Sequence, residues 1–139
     1  MTRAGVLLFV ATLAGACAPS GPRRIEIPAN TEDFLIRVSW EPSPARARER
    51  TVYRIVVRDK ETREFVDGGE GLVFATSADR VNIHGVMQPG EQAGTYMASL
   101  RFINSGDWAV SLQFRRDSTR ALQRPSADWR QTIYAERDL

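Results

Sequence analysis

The chain has few of the residues that most often build disulfides and soft-metal centres. Its 139 residues include one cysteine, Cys17, one histidine, His84, and one lysine, Lys60. A lone cysteine has no partner for an intramolecular disulfide. A metal site would also lack a second imidazole, and at most one thiolate, that of Cys17, could contribute to it. The apolar segment from Ala4 to Leu13 is shorter than the ~20 residues of a membrane-spanning helix.

The charge balance argues against a nucleic-acid-binding protein. The formal net charge is +2, from 19 basic and 17 acidic residues. Without residues 1–16, which contain Arg3, the basic count falls from 19 to 18 and the balance becomes +1. Nucleic-acid binders usually carry a concentrated basic surface. The short arginine clusters of this sequence are interspersed with acidic residues, so the sequence predicts no such surface.

The first sixteen residues have the order of a secretory signal. Arg3 supplies a positive charge, an apolar segment follows, and Ala14-Gly15-Ala16 provides small residues before Cys17. Leu13-Ala14-Gly15-Ala16-Cys17 resembles a bacterial lipobox, although Ala14 stands where leucine is preferred. The resemblance implies lipidation of Cys17, and several acyl chains at one terminus give stable anchoring. Ala18 after the cysteine implies, in a Gram-negative cell, the periplasmic face of the outer membrane. The alternative is an unmodified cysteine beside an ordinary signal-peptidase site.

The predicted mature chain consists of a tether and one domain. Residues 17–30 contain Pro19, Gly21, Pro22 and Pro28 and are predicted to be a flexible tether. Residues 31–139 are predicted to form a β-sandwich domain, with a core at about 33–115 and a C-terminal extension at 116–139. Alternation of apolar and polar residues predicts strands over residues 34–40 and 53–57, a short edge strand at 65–66, and a strand at 72–77.

The next two segments are predicted to form a hairpin. Tyr96 to Phe102 and Trp108 to Phe114 each alternate, and residues 104–107 between them are turn formers. Four aromatic side chains on one face of such a hairpin need a second sheet to cover them. The prediction is an all-β, immunoglobulin-like antiparallel β-sandwich. Residues 126–137 allow either a helix or a strand, and the β propensity of Thr132 to Tyr134 favours the strand.

The turn glycines and aromatics resemble those of YtkA-like domains. The residues in question are Pro89-Gly90, Gly94-Thr95-Tyr96 and Gly106-Asp107-Trp108, within a compatible order over residues 33–115. YtkA-like domains are small extracytoplasmic immunoglobulin-like sandwiches related to FixH, a membrane-anchored protein associated with the assembly of copper-containing oxidases. The resemblance implies the fold and an accessory role. It supplies no catalytic residues, and a lipobox replaces the spanning helix of FixH.

Two candidate sites follow from these patterns. His84, Met87 and Met97 could supply soft ligands to copper if the loop after Ile83 folds beside the strand that carries Met97. Arg101 and Arg115 could meet on the wet side of the predicted hairpin and attract an acidic partner or a lipid headgroup. Gly68-Gly69-Glu70-Gly71 lacks the Lys-Ser/Thr of a phosphate loop, and no nucleophile motif is present.

The expected function is therefore that of a non-enzymatic, envelope-anchored binding or accessory module. Its expected partners are the membrane, through the lipid anchor at Cys17, and an envelope protein. No cofactor is expected for that function. The alternative is a copper-binding accessory factor for oxidase or metalloprotein assembly that uses His84, Met87 and Met97.

Overall fold

Alternating apolar residues build nine strands in the computed structural model, which describes residues 24–138. Each core strand turns one parity of its side chains inward, as in Phe34, Ile36 and Val38. The strands are β1 (Ile27–Pro28), β2 (Phe34–Glu41), β3 (Arg50–Asp59), β4 (Glu70–Ser77), β5 (Asn82–Val86), β6 (Gln88–Pro89), β7 (Thr95–Arg101), β8 (Gly106–Arg115) and β9 (Trp129–Ile133). No helix is found in this part of the chain.

The strands form two antiparallel sheets that pack face to face. The five-stranded sheet has the order β1-β2-β3-β7-β6, and the four-stranded sheet has the order β5-β4-β8-β9. Their inner faces share one core whose large buried side chains include Tyr53, Tyr96, Phe102, Trp108 and Phe114. The predicted antiparallel β-sandwich is confirmed.

One pairing within the sandwich differs from the prediction. β7 and β8 do not form a hairpin, because β7 pairs with β3 and β8 pairs with β4 and β9. Their aromatic faces instead meet across the core. The rings of Phe102 and Trp108 lie 5.2 Å apart, and those of Tyr96 and Phe114 lie 5.3 Å apart, in edge-to-face packing. Because β7 and β8 face each other from opposite sheets, each covers the aromatic side chains of the other. This packing explains why the short connection between β7 and β8 crosses from one sheet to the other.

The chain crosses between sheets a second time at Met87. β5 belongs to the four-stranded sheet and β6 to the five-stranded sheet, and buried Met87 joins them. Gly85 allows β5 to approach β7, since a Cβ at this position would lie 2.2 Å from the carbonyl oxygen of Ser99. This close approach holds the edges of the two sheets together.

The observed strand boundaries bear on three predictions made from the sequence. The domain begins before residue 31, because Ile27–Pro28 pairs with β2 inside the segment predicted as a tether. Phe65 makes an isolated bridge with Arg58, and no strand forms at 65–66. Trp129–Ile133 is a strand, which agrees with the favoured interpretation of the C-terminal segment. The predicted signal, Cys17 and the first part of the tether lie outside the described residues.

Over the residues described, no helix is long and apolar enough to cross a membrane.

Candidate functional site

The three residues proposed as copper ligands lie in three different environments. His84 is exposed and pairs across the sheet with Phe74, on the outer face of the four-stranded sheet. Met87 is buried, with 5% of its surface exposed. Met97 alternates with buried Tyr96 and Ala98, so its side chain is on the outer face of the five-stranded sheet. The structure does not bring the three side chains together.

Other metal ligands do not compensate for this separation. In residues 24–138 there is no group of three or more His, Cys, Asp or Glu side chains that could hold a metal ion. Within this part of the chain, the copper alternative therefore has no support from a cluster of imidazole, thiolate or carboxylate groups.

The predicted meeting of Arg101 and Arg115 does not occur either, because their strands belong to different sheets. Arg115 forms an ion pair with Glu70 at 3.1 Å. The Arg101 Nε donates to the carbonyl oxygen of Arg48 at 3.0 Å, and Arg101 lies directly opposite Arg50 in the strand register. Arg101 therefore belongs to a different group of basic residues from the one predicted.

That group covers the outer face of the five-stranded sheet and is called the arginine face below. Five of its members project outward from β2, β3 and β7, and the sixth lies in the adjoining turn after β3. All are exposed except one, which is half-buried. The members of the arginine face are Arg37, Arg50, Arg54, Arg58, Arg63 and Arg101.

Strand periodicity assembles the arginine face. In β3, Thr51, Tyr53, Ile55 and Val57 point into the core, so residues of the opposite parity point outward. Arg50, Arg54 and Arg58 share that parity, at intervals of four residues. The register then places Arg37 opposite Val56 and Arg101 opposite Arg50, which joins the neighbouring strands to the same surface.

The arginine face is distinguished by its lack of carboxylate partners. None of its six guanidinium groups forms an ion pair within the described residues, whereas seven other arginines do. Glu41 at the end of β2 pairs with Arg24 instead, at 3.2 Å. Glu26 is the nearby carboxylate that lines the same surface. The positive charge of the arginine face does not show in the small net charge of the whole chain, because acidic residues elsewhere balance it in the total.

Neutral groups hold several of the guanidinium groups in place. Arg50 donates from Nε and Nη2 to the Ser99 hydroxyl, at 3.0 and 2.9 Å. Arg54 donates to the side-chain oxygen of Gln92 at 2.8 Å. The Arg58 guanidinium lies 4.3 Å from the centre of the Phe65 ring. These contacts orient the cations without neutralising them.

A shallow groove runs through one end of the arginine face. Its volume is about 690 Å³, and half-buried Leu35 and Val56 form its floor beside the exposed Phe65 ring. Arg37, Arg54, Arg58 and Arg63 line the same groove. The combination of an apolar floor and a cationic rim suits a ligand with anionic groups and some apolar surface.

A second cleft, at one end of the sandwich, is less suited to binding because its polar groups already satisfy one another. It measures about 810 Å³. The Thr31 hydroxyl donates to the Gln123 amide oxygen at 2.8 Å, and the Gln123 amide nitrogen donates to Asp33. Arg116 donates to Asp59 at 2.7 Å. We therefore interpret this cleft as a structural junction between the C-terminal segment and the strand ends.

Asp59 in this cleft makes stability depend on pH. The backbone N–H groups of Thr62 and Glu61, and then the Arg116 guanidinium, hold the pKa of the Asp59 carboxyl below its usual 3.8, against a smaller effect of desolvation. A lowered folded-state pKa contributes stability that is present above the unfolded-state pKa and is lost as pH falls through the folded-state value.

We expect Asp59→Asn to lower the urea midpoint near neutral pH and to lose part of the acid sensitivity. The difference between wild type and variant should narrow as pH falls below about 5, because the carboxyl is protonated first in the unfolded chain and then, at lower pH, in the folded protein. Urea unfolding at a series of pH values measures this difference in midpoint between wild type and variant. A difference that stays constant down to pH 2 would contradict a stabilising role for the ionised carboxyl.

A scan against protein-family models matches none of them, and a search of curated proteins finds no similar sequence.

Proposed function

We propose that the chain is an envelope-anchored, non-catalytic binding module that presents its arginine face to an anionic partner. The observation that carries the proposal is the array of six outward-facing arginines without an ion-pair partner in residues 24–138. Uncompensated charges on one surface contribute little to folding, but they attract and orient a partner of opposite charge.

The register of the strands supports a binding role over a stabilising one. Arg50 and Arg101 are cross-strand neighbours, and like charges in that position destabilise a sheet by some tenths of a kcal/mol to about 1 kcal/mol. A surface selected for stability alone would place a carboxylate at one of these positions. The outer face of the opposite sheet does this, with Arg115 paired to Glu70 and Arg130 paired to Asp107.

The anchor in this proposal is the lipidated Cys17, which the lipobox-like sequence predicts. The resemblance to YtkA-like domains belongs to the same proposal, since it implies an extracytoplasmic accessory role without naming the residues that perform it. Lipidation keeps the module at a membrane, and the arginine face gives it a surface for interaction there.

Fractionation of bacterial envelopes tests the anchor and the face separately. Wild type should incorporate labelled fatty acid and stay with membranes through a wash in about 0.5 M NaCl. Cys17→Ser should lose the label, stay with membranes at low salt through the arginine face, and be released by the wash, because salt screens exposed charges.

Two outcomes would contradict the proposal. A Cys17→Ser protein that keeps its acyl label and resists the salt wash would refute lipidation at this residue. A Cys17→Ser protein that is already soluble at low salt would refute binding of the arginine face to a partner in the membrane. The triple variant Arg50→Gln, Arg54→Gln, Arg58→Gln, made on top of Cys17→Ser, should be soluble at low salt.

A further inference from the structure

We infer that the arginine face docks on the anionic headgroups of the membrane to which the chain is anchored. The inference rests on the proposed function, because it takes Cys17 as the anchor and the arginine face as the binding surface. It identifies the partner as anionic phospholipid.

The shape of the charge distribution favours a planar partner. Arg50 and Arg58 lie eight residues apart in β3, which corresponds to roughly 26 Å along a strand. β2 and β7 flank β3 on either side, about 4.8 Å away each, and carry Arg37 and Arg101. The guanidinium groups are thus spread over a broad sheet surface. A spread of single cations matches a plane of phosphate groups better than it matches one small ligand.

The path of the chain to the anchor keeps the arginine face close to the membrane. β1 lies at the edge of the sheet that carries the arginine face, and the described chain begins three residues earlier at Arg24. Cys17 precedes Arg24 by seven residues, which span at most about 25 Å. This reach keeps the arginine face near a membrane that holds Cys17, so docking becomes an intramolecular step with a high effective concentration.

The arginine face also has an apolar component. The Phe65 side chain is 46% exposed, beside Arg58 and the groove floor of Leu35 and Val56. Exposed Phe side chains of membrane-surface segments enter the boundary between headgroups and acyl chains, and arginine lays its apolar stem there while the guanidinium stays at the headgroup level. Phe65 would enter that layer while the Arg58 guanidinium, which it already contacts, binds phosphate.

Of the outer faces of the two sheets, the arginine face is the one that matches an anionic membrane surface. The outer face of the four-stranded sheet has its arginines paired, at Arg115–Glu70 and Arg130–Asp107. It also exposes polar and neutral side chains such as Asn82, His84 and Thr132. Attraction to an anionic surface therefore orients the domain with the arginine face toward the membrane and the four-stranded sheet away from it.

Vesicle flotation with the exported Cys17→Ser protein tests the inference without the lipid anchor. Vesicles contain phosphatidylcholine alone or with about 30% phosphatidylglycerol. We expect binding to the phosphatidylglycerol vesicles only, and release by salt. Each arginine near an anionic surface contributes about fivefold in affinity, so the variant Arg50→Gln, Arg54→Gln, Arg58→Gln should bind roughly 100-fold more weakly.

The matched control is Arg80→Gln, Arg120→Gln, Arg130→Gln. It removes the same net charge from exposed arginines outside the arginine face. We expect it to bind within about threefold of the parent protein, because only local charges lie within a Debye length of the headgroups. An equal loss in the control variant would overturn the inference, since net charge rather than the face would then determine binding.

Two further results would also overturn the inference. One is wild-type-like binding by the arginine-face variant. The other is absence of binding to phosphatidylglycerol vesicles; if soluble poly-glutamate still bound, the face would belong to an acidic protein partner. Neither result would refute lipidation of Cys17, which the acyl label measures independently.

Discussion

Trp108→Ala is expected to lower the free energy of unfolding by about 3–5 kcal/mol, a large part of the 5–15 kcal/mol typical of a small domain. Trp108 is 1% exposed and lies in β8, where it packs edge-to-face on Phe102 from the end of β7. The truncation removes the apolar area of the ring and leaves a cavity between the two sheets. It also leaves the carbonyl of Asn104 without the indole N–H that donates to it at 3.0 Å.

Urea or thermal unfolding measures this loss, and Tyr134→Ala provides the control. Tyr134 is also aromatic, but its side chain is 51% exposed, so its truncation should change stability by less than about 1 kcal/mol. A loss below about 1 kcal/mol for Trp108→Ala would place Trp108 outside the core and contradict the packing of β7 against β8.

Reversing three charges of the arginine face is expected to abolish docking while leaving the fold intact. In Arg50→Glu, Arg54→Glu, Arg58→Glu, each attraction of about 1 kcal/mol to an anionic surface becomes a repulsion of similar size. The total change of about 6 kcal/mol corresponds to a loss of more than ~10³-fold in affinity for phosphatidylglycerol vesicles. Flotation of the Cys17→Ser background measures it.

The same variant should stay within about 1 kcal/mol of its parent in stability. It loses the exposed contacts of the three side chains with Ser99, Gln92 and Phe65, but a carboxylate at position 50 replaces like-charge repulsion with attraction to Arg101. The loss of binding is thus expected without a comparable loss of stability. If the variant both unfolds more easily and binds less, its loss of binding would be due to misfolding and not to the reversed charges. Reversal of Arg80, Arg120 and Arg130 to glutamate is the matched control for total charge.

The sequence predicted the fold class because the information was local. Inward-facing residues alternate with outward-facing ones in β2 and β3, and turn-forming residues separate the strands. The two-residue period of the apolar positions and the location of the turns therefore predicted a sandwich. The packing of β7 against β8 from opposite sheets could not be predicted in the same way. A short connection is compatible with a hairpin and with a crossing between sheets, and only the packing of Phe102 on Trp108 distinguishes the two.

The candidate site was missed for a different reason. Neither the short arginine clusters nor the predicted hairpin, which places Arg101 beside Arg115, indicates this surface; its signal is the parity of Arg50, Arg54 and Arg58, which share the outward face of β3. That part could have been predicted. The contribution of Arg37 and Arg101 could not, because it depends on which strands become neighbours of β3 and in which register. The separation of His84 from Met97 likewise depends on the division of the strands between sheets.

Arginine footprinting of the protein in its own membranes tests the central claim most directly. Phenylglyoxal modification followed by mass spectrometry compares each arginine in intact envelopes with the same arginine after detergent release. The account predicts protection in envelopes for Arg37, Arg50, Arg54, Arg58, Arg63 and Arg101, with Arg80 and Arg120 modified equally in both states. Equal modification of the arginine face in the two states would contradict the claim that this surface is the one the protein uses for binding.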